Sequence, residues 1–183
     1  SSLVKQLLSF SRKQPAKPVS VDVKDVVHSM KDLLLPVMGS KIELKLELAP
    51  EDCLVLADRS QMEQIIMNLS LNAKDAMPRG GSFVVTTNRV FVDETSAGMH
   101  VDLRPGEYVK MTFSDTGTGM DEETASHVFD PFFTTKGVGK GSGLGLTIVY
   151  TIVKQWGGCI TLHSQPDKGS IFTVFLPAFK KGA

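Results

Sequence analysis

The sequence predicts an α+β fold, a two-layer α/β sandwich. Three observations carry that expectation. Segments with period-two alternation and segments with a helical apolar stripe both occur, so neither an all-helical nor an all-strand chain fits. They do not follow one another in regular strand–helix–strand order, which disfavours a doubly wound parallel sheet. The last two apolar runs, Cys159 to Ser164 and Ser170 to Leu176, flank Gln165-Pro166-Asp167-Lys168-Gly169 and read as a hairpin.

Taken in order, Ser1 to Arg12 places Leu3, Val4, Leu7, Leu8 and Phe10 on an approximate helical stripe without a start signal, so it reads as the tail of a longer helix. Gln14-Pro15-Ala16-Lys17-Pro18 breaks the chain and separates a segment 1–14 from a domain 15–183. Val19 to Val23 is a short strand-like run, and Asp22 can cap a helix expected to stop near Leu35, before Pro36. Ile42 to Leu48 alternates strictly, and Cys53 to Ala57 is a second strand candidate. Asp58 and Gln61 stand as N-cap and N3 of a helix running to about Met77, ended by Pro78-Arg79-Gly80-Gly81. Ser82 to Val92 and Glu107 to Ser114 are longer strands separated by a polar loop, 93–106. A short helix over 121–129 leads into a glycine-rich stretch, 137–145. Val149, Ile152, Val153 and Trp156 then mark a helix with an apolar face, stopped by Gly157-Gly158.

Composition narrows the function. The 183 residues hold 20 basic and 20 acidic side chains, a net charge of zero that argues against nucleic acid as a partner. Two cysteines, Cys53 and Cys159, cannot make a disulfide framework or a four-cysteine zinc site and read as small buried groups in a reducing compartment. No apolar run approaches the roughly 18 residues of a membrane span, so the expectation is a soluble, cytoplasmic domain. Glycine is unevenly spread: of 16, seven (Gly117, Gly119, Gly137, Gly139, Gly141, Gly143 and Gly145) fall within 117–145.

Three constellations carry chemistry. On the helix after Asp58, Asn68, Asn72 and Asp75 fall within an arc of roughly 60°, beside an apolar arc of Met62, Ile65, Leu69, Ala73 and Ala76. Oxygen ligands without sulfur or imidazole suit a hard ion such as Mg²⁺, held by one or two protein oxygens plus phosphates; a solvated polar face is the plainer alternative. Asp115-Thr-Gly117-Thr-Gly119-Met120 follows a strand, where a carboxylate can accept a hydrogen bond from an exocyclic amine and glycines let backbone approach a flat ligand. A simple turn would also explain it. Gly141-Ser142-Gly143-Leu144-Gly145-Leu146 opens a helix, and unencumbered amides there form an anion site, unless the stretch is only a flexible linker. It is not a Walker A loop, since Lys140 precedes Gly141 rather than Ser or Thr. Together the three describe a nucleotide site.

These motifs resemble the catalytic and ATP-binding domain of bacterial sensor histidine kinases, within the wider Bergerat-fold (GHKL) ATPases. Asn68 to Ala76 is similar to the N box, Asp115 to Met120 to the G1 box, and Phe129-Asp-Pro131-Phe132-Phe133-Thr-Thr-Lys136 to the F box. Gly141 to Leu146 is similar to the G2 box and Gly169-Ser170 to the final glycine motif. Leu7-Leu8-Ser9-Phe10-Ser11-Arg12 and Asn72-Ala-Lys-Asp-Ala-Met77-Pro most resemble the hybrid kinases of the CckA type. The resemblance implies a mixed sheet of about five strands covered on one face by about three helices, and ATP and Mg²⁺ as ligands, with Asn72 on the metal and Asn68 beside the metal–phosphate region. Asp115 would receive the adenine amino group, and Gly117, Gly119 and Met120 would line the base pocket. Ser142, Gly143, Leu144, Gly145 and Leu146 would turn amides to the phosphates. Lys136 would be a phosphate contact in a lid over 120–141, and Ser170, where many relatives carry Thr, would hydrogen-bond near the base.

Hydrolysing members of the superfamily carry Glu at the position of Asn68 to activate water. An Asn amide has no basic site, so transfer to a protein nucleophile is expected instead. None of His28, His100, His127 and His163 lies in an acceptor-like sequence. The acceptor is therefore expected on a dimerisation and phosphotransfer domain whose second helix ends in residues 1–14, with a response regulator or receiver domain downstream. This chain is expected to be a monomer that does not phosphorylate itself, and the full-length protein a homodimer, membrane-anchored only through regions outside this chain. The competing readings are a GHKL ATPase, an anti-sigma-type serine kinase and a nucleotide-binding regulatory module. Phe132 and Phe133 fit either lid anchors or local core. Tyr108 fits a plain strand residue or a stacking platform for a second ligand.

Overall fold

Alternation and capping place the elements where the sequence puts them, with four departures. The computed structural model describes residues 16–100, 102–137, 141 and 143–182. Along them run β1 (Val19–Asp22), α1 (Val23–Met38), β2 (Ile42–Leu48), β3 (Leu54–Ala57), α2 (Arg59–Ala76) and β4 (Gly81–Val92). There follow α3 (Glu94–Gly98), β5 (Gly106–Asp115), α4 (Glu122–His127), α5 (Gly145–Gln155), β6 (Cys159–Ser164) and β7 (Ser170–Pro177). The expected helix remnant at 1–14 and Ser142 lie outside the described residues.

Five strands form one mixed sheet in the order β2-β4-β5-β7-β6, parallel only between β2 and β4. Every second residue of β4, β5 and β7 (Phe83 and Val85; Val109, Met111 and Phe113; Phe172, Val174 and Leu176) enters the core that α1, α2 and α5 cover. Burying each such side chain contributes about 1.5–3 kcal/mol, so this face fixes the register of the whole sheet. Asp58 caps α2 by accepting from the amides of Ser60 at 2.8 Å and Gln61 at 3.3 Å. Those bonds hold the Asp58 carboxyl below its ordinary range, the Ser60 side chain contributing most.

The departures have physical causes. Helix α1 continues through Pro36 to Met38. Pro36 and Asp32 are both exposed, so the carbonyl that proline leaves without an amide partner meets water. Gln61 does not complete a capping box. Its side chain accepts from Trp156 Nε1 at 2.8 Å and donates to Gln155 at 3.3 Å, tying α2 to the end of α5. Strands β1 and β3 pair with each other, antiparallel, instead of joining the large sheet. The polar loop 93–106 contains α3, capped by Asp93, and a second apolar cluster of Val92, Ala97, Leu103, Tyr108, Cys159 and Phe175. Those residues of β4, β5 and β7 have the opposite parity to the core set, so this cluster sits on the far face of the sheet. Tyr108 is only 6% exposed and its hydroxyl donates to the Arg104 carbonyl at 2.9 Å, so it is no stacking platform. Both cysteines are buried free thiols, with burial raising each pKa. No described helix is long and apolar enough to cross a membrane.

Candidate functional site

A cavity of about 730 Å³ opens where the ends of β5 and β7, the polar side of α2 and the start of α5 meet the segment 120–137. Three sequence-distant patterns converge on it. Asn68, Asn72 and Asp75 line it from α2, because the apolar side of that helix (Met62, Ile65, Leu69 and Ala73) is pinned to the core. Ala76, expected in the core set, instead lines the cavity, and Ile66 and Ser70 are buried in its place. Asp115, Gly119, Met120 and Ser170 line the floor, and Gly141, Gly143, Gly145, Leu146 and Lys136 the opposite wall. Of the sequence-predicted residues that are described, only Gly117 and Leu144 are not in the lining; Leu144 is buried beneath it.

The floor is built by cross-strand register. Phe83 pairs with Asp115, Asp115 with Ser170, and Ser170 with Ser164, so one row crosses four strands. Asp115 is thus the last residue of β5, not the first of a loop, and is 5% exposed. Burial raises its pKa, offset in part by backbone bonds from Gly117 and Ser170. The Gly117 amide donates to Asp115 Oδ1 at 2.9 Å, which is how Gly117 acts without lining the cavity. Beyond it the backbone presses on α2: the Thr118 amide donates to the Ala76 carbonyl at 2.9 Å. Gly119 has φ +64°, and a Cβ there would collide with the backbone oxygens of Gln165 and Gly169.

At the other end stands the start of α5, an eleven-residue helix whose N-cap, Leu144, brings no side-chain oxygen to its first turn. Its leading amides therefore face the cavity with a partial positive charge. Asn68 abuts this point: its Oδ1 would lie 3.8 Å from a Cβ placed on Gly145. Asn68 Nδ2 is buried and has no partner in the protein, the single such side-chain atom among the described residues. A buried orphan donor beside a helix N-terminus suits an anionic ligand. Gly143, at φ +68°, lies against the backbone of Phe132, whose amide donates to the Gly143 carbonyl at 3.1 Å. Phe132 itself has φ +64° and is 65% exposed, and Phe133 is half-buried. Phe132 is therefore not local core.

The family profile described as histidine kinase-, DNA gyrase B- and HSP90-like ATPase matches residues 57–180. The chain belongs to that family. It is an ATP-binding catalytic domain of the kind that sensor histidine kinases carry. It is 44% identical over 177 residues to the sensor kinase CckA of Brucella abortus, covering 97% of this chain and 19% of that protein. It is 36% identical over 176 residues to the sensor histidine kinase ZraS of Klebsiella oxytoca, covering 96% of this chain and 35% of the relative. Full-length ShkA, solved in complex with AMPPNP, shares the fold at a TM-score of 0.78 and 24% identity, over 100% of this chain and 36% of that one. The chain thus spans about a fifth and about a third of these two curated relatives.

Within this ATPase-family site, two features escaped the sequence. Thr124 and Val128 line the cavity with no spacing that marks them, and Thr118 and Thr134 line it from within motifs that were read for their neighbours. Ser164 underlies the floor, and only the strand register reveals it. Lys136 is the one cation lining the cavity among the described residues, and its ammonium is paired with the Asp75 carboxylate across the mouth. Both partners are more than a third exposed, so the pair adds little to stability. Lys136→Ala is expected to leave Tm unchanged and to weaken ATP binding about tenfold or less while sparing adenosine, as calorimetry with both ligands would read.

Proposed function

We propose that this domain binds Mg-ATP and delivers the γ-phosphoryl group to a histidine on a dimerisation and phosphotransfer domain that residues 15–183 do not supply. One observation carries the reading. The described residues lining the cavity include no Glu and no His, and Asn68 stands where the α5 amides begin. An amide cannot take a proton from water, and the two carboxylates are otherwise placed: Asp115 is in the floor and Asp75 is paired with Lys136. Attack by water is unassisted, so ATP persists until a better nucleophile arrives.

The residues fit the ion as well. Among the described residues there is no cluster of three or more His, Cys, Asp or Glu side chains. Asn72, an oxygen donor lining the cavity, would hold a divalent ion together with phosphate oxygens, as suits a hard cation. Bound there, Mg²⁺ would neutralise phosphate charge as the bond to the leaving nucleotide breaks. The chain's own part is positioning. Asp115 accepts from the base, Asn68 Nδ2 and the amides of Gly143, Gly145 and Leu146 donate to phosphate oxygens, and Lys136 exchanges Asp75 for phosphate. Preorganised donors of this kind supply most of what phosphoryl transfer needs.

Phe132, exposed on the segment that covers the cavity, is the anchor proposed for the dimerisation domain. The wider setting belongs to the same proposal. Residues 1–14 end the second dimerisation helix, the whole protein is a cytoplasmic or membrane-anchored homodimer, and a response regulator or receiver domain takes the phosphoryl group onward.

The test supplies a dimerisation domain in trans with γ-labelled ATP. Acid-labile label is expected on the supplied domain and none on this chain, and Asn72→Ala is expected to abolish transfer. Steady phosphate release without transfer would make the protein an ATPase instead.

A further inference from the structure

Ser164 belongs to none of the motifs above, yet its hydroxyl makes three contacts under the base end of the cavity. The Met120 amide donates to its Oγ at 2.9 Å, the Gly169 carbonyl lies 3.0 Å away, and Ser170 Oγ lies 2.8 Å away. A serine hydroxyl has one hydrogen and two lone pairs. The Met120 amide brings its own hydrogen and occupies one lone pair. A carbonyl brings none, so the Ser164 hydrogen goes to Gly169. The third contact is then a hydrogen bond only if Ser170 donates it. This is the one assignment in which all three contacts are bonds, and it saturates Ser164.

We infer that Ser164 is a positioning residue for base recognition: it consumes the hydroxyl hydrogen of Ser170, so that Ser170 turns only lone pairs into the cavity. This rests on the nucleotide reading and deepens it. Ser170 is 3% exposed and lines the cavity, and it is paired in register with Asp115. Above the pKa of Asp115, the Ser170 side chain and the carboxylate next to it therefore form a floor of acceptors without a side-chain hydrogen. A ligand edge must bring the hydrogens itself. A 6-aminopurine does so through its exocyclic amine toward Asp115, but its neighbouring ring nitrogen is an acceptor and finds no hydrogen on Ser170. A 6-oxopurine sets a carbonyl against the carboxylate, but its ring N–H can donate to Ser170, so the acceptor state of Ser170 narrows the preference for a 6-amine that Asp115 sets. The hydrogen bond expected of Ser170 near the base thereby acquires a direction: Ser170 accepts.

The same geometry names the variant that undoes it. Without the Ser164 hydroxyl, Ser170 keeps its hydrogen and can point it at the ligand. Affinities of the full chain for ADP and for inosine diphosphate, measured by calorimetry, give a selectivity ratio that general damage to the pocket would leave alone. Ser164→Ala is expected to raise the ADP-to-IDP ratio by about three- to tenfold, the scale of one hydrogen bond, because the freed Ser170 hydroxyl can donate to the ring nitrogen of adenine and not to the ring N–H of hypoxanthine. Ser164→Thr, which keeps the hydroxyl, should retain the parental ratio. With Ser170→Ala as background, adding Ser164→Ala should leave the ratio where Ser170→Ala alone puts it, because the effect runs through that hydroxyl. Equal weakening of both ligands by Ser164→Ala, or an undiminished ratio change in the Ser170→Ala background, would overturn the inference. If the parent chain binds neither nucleotide, the nucleotide reading fails and this inference with it, a result distinct from a failure of Ser164 alone.

Discussion

Replacing Asp115 by alanine is expected to cut nucleotide affinity by about one hundredfold, the largest loss expected from any single side chain of the site. The carboxyl is the only titratable side chain in the floor, it is almost wholly buried, and its removal strands the Gly117 amide that donates to it at 2.9 Å. Isothermal calorimetry with ADP reads the effect directly. The same residue predicts a pH dependence. Burial raises the pKa of Asp115 above the ordinary aspartate value of 3.8, backbone bonds from Gly117 and Ser170 opposing the shift only in part. A base amine donates only to the carboxylate, so affinity is full above the pKa of the free protein and falls as pH drops through it. Because that pKa is raised, the fall begins at a higher pH than an exposed aspartate would give. Ligand binding in turn lowers the pKa and releases protons in that window. Asp115→Asn should lose this component of the profile while keeping an acceptor oxygen. A parental profile flat down to the ordinary carboxylate range would refute the assignment.

Stability is linked with the opposite sign. A carboxyl whose folded pKa exceeds its unfolded one is destabilising once ionised. Its contribution therefore improves as pH falls from above the raised pKa toward the unfolded value. Asp58, whose pKa is lowered, acts the other way: its cap is intact above the unfolded pKa and is lost as pH falls through the folded one.

Gly119→Ala is expected to cost about 2–4 kcal/mol of stability and to remove measurable ADP binding. Two effects add. The residue sits at φ +64°, where a side chain is strained, and the new Cβ would run into the Gln165 and Gly169 backbone oxygens. Those atoms belong to the β6–β7 turn, which is held from both sides: the Asp167 amide donates to the Thr118 carbonyl at 2.7 Å, and Ser164 bonds Met120 and Gly169. The turn cannot retreat without opening the floor. Gly98→Ala is the control, since nothing lies within 4 Å of its added Cβ and its φ is not positive. Thermal denaturation of the two variants should separate them clearly. Equal midpoints would show that the floor yields.

Both predictions rest on residues that the sequence already singled out, and that reflects the kind of information each carries. Asp115 and Gly119 stand in a glycine-spaced motif, the asparagines of α2 recur at helical spacing, and the glycines of 137–145 cluster. Such patterns are local, and local spacing is what a linear sequence displays. For the same reason the caps Asp22, Asp58, Asp93 and Asp121 sit within three residues of the amides they bind. The first two were legible as helix starts.

Other features depended on which strand lies beside which. Nothing in Val19–Asp22 says that it pairs with Leu54–Ala57 and stays out of the large sheet, since short apolar runs of either destination look alike. Gln61 had the spacing of a capping box but found a stronger use in Trp156, 95 residues away. The far-face cluster under 93–105 draws on β4, β5, β6 and β7 at once, so no window of sequence contains it.

By itself, then, the sequence determined the types of the main elements, though not the short helix α3, together with the family and the three groups of residues at the ends and middle of a nucleotide site. The tertiary structure decided their polarity and purpose. It put Asp115 inside the sheet, where burial raises its pKa, and left Asn68 Nδ2 without a partner beside the α5 N-terminus. It paired Lys136 with Asp75, and it set Ser164 beneath Ser170. The physical reason is that hydrogen-bond direction, burial and charge pairing depend on neighbours in space. Along the chain those neighbours are as distant as Asp75 and Lys136, 61 residues apart.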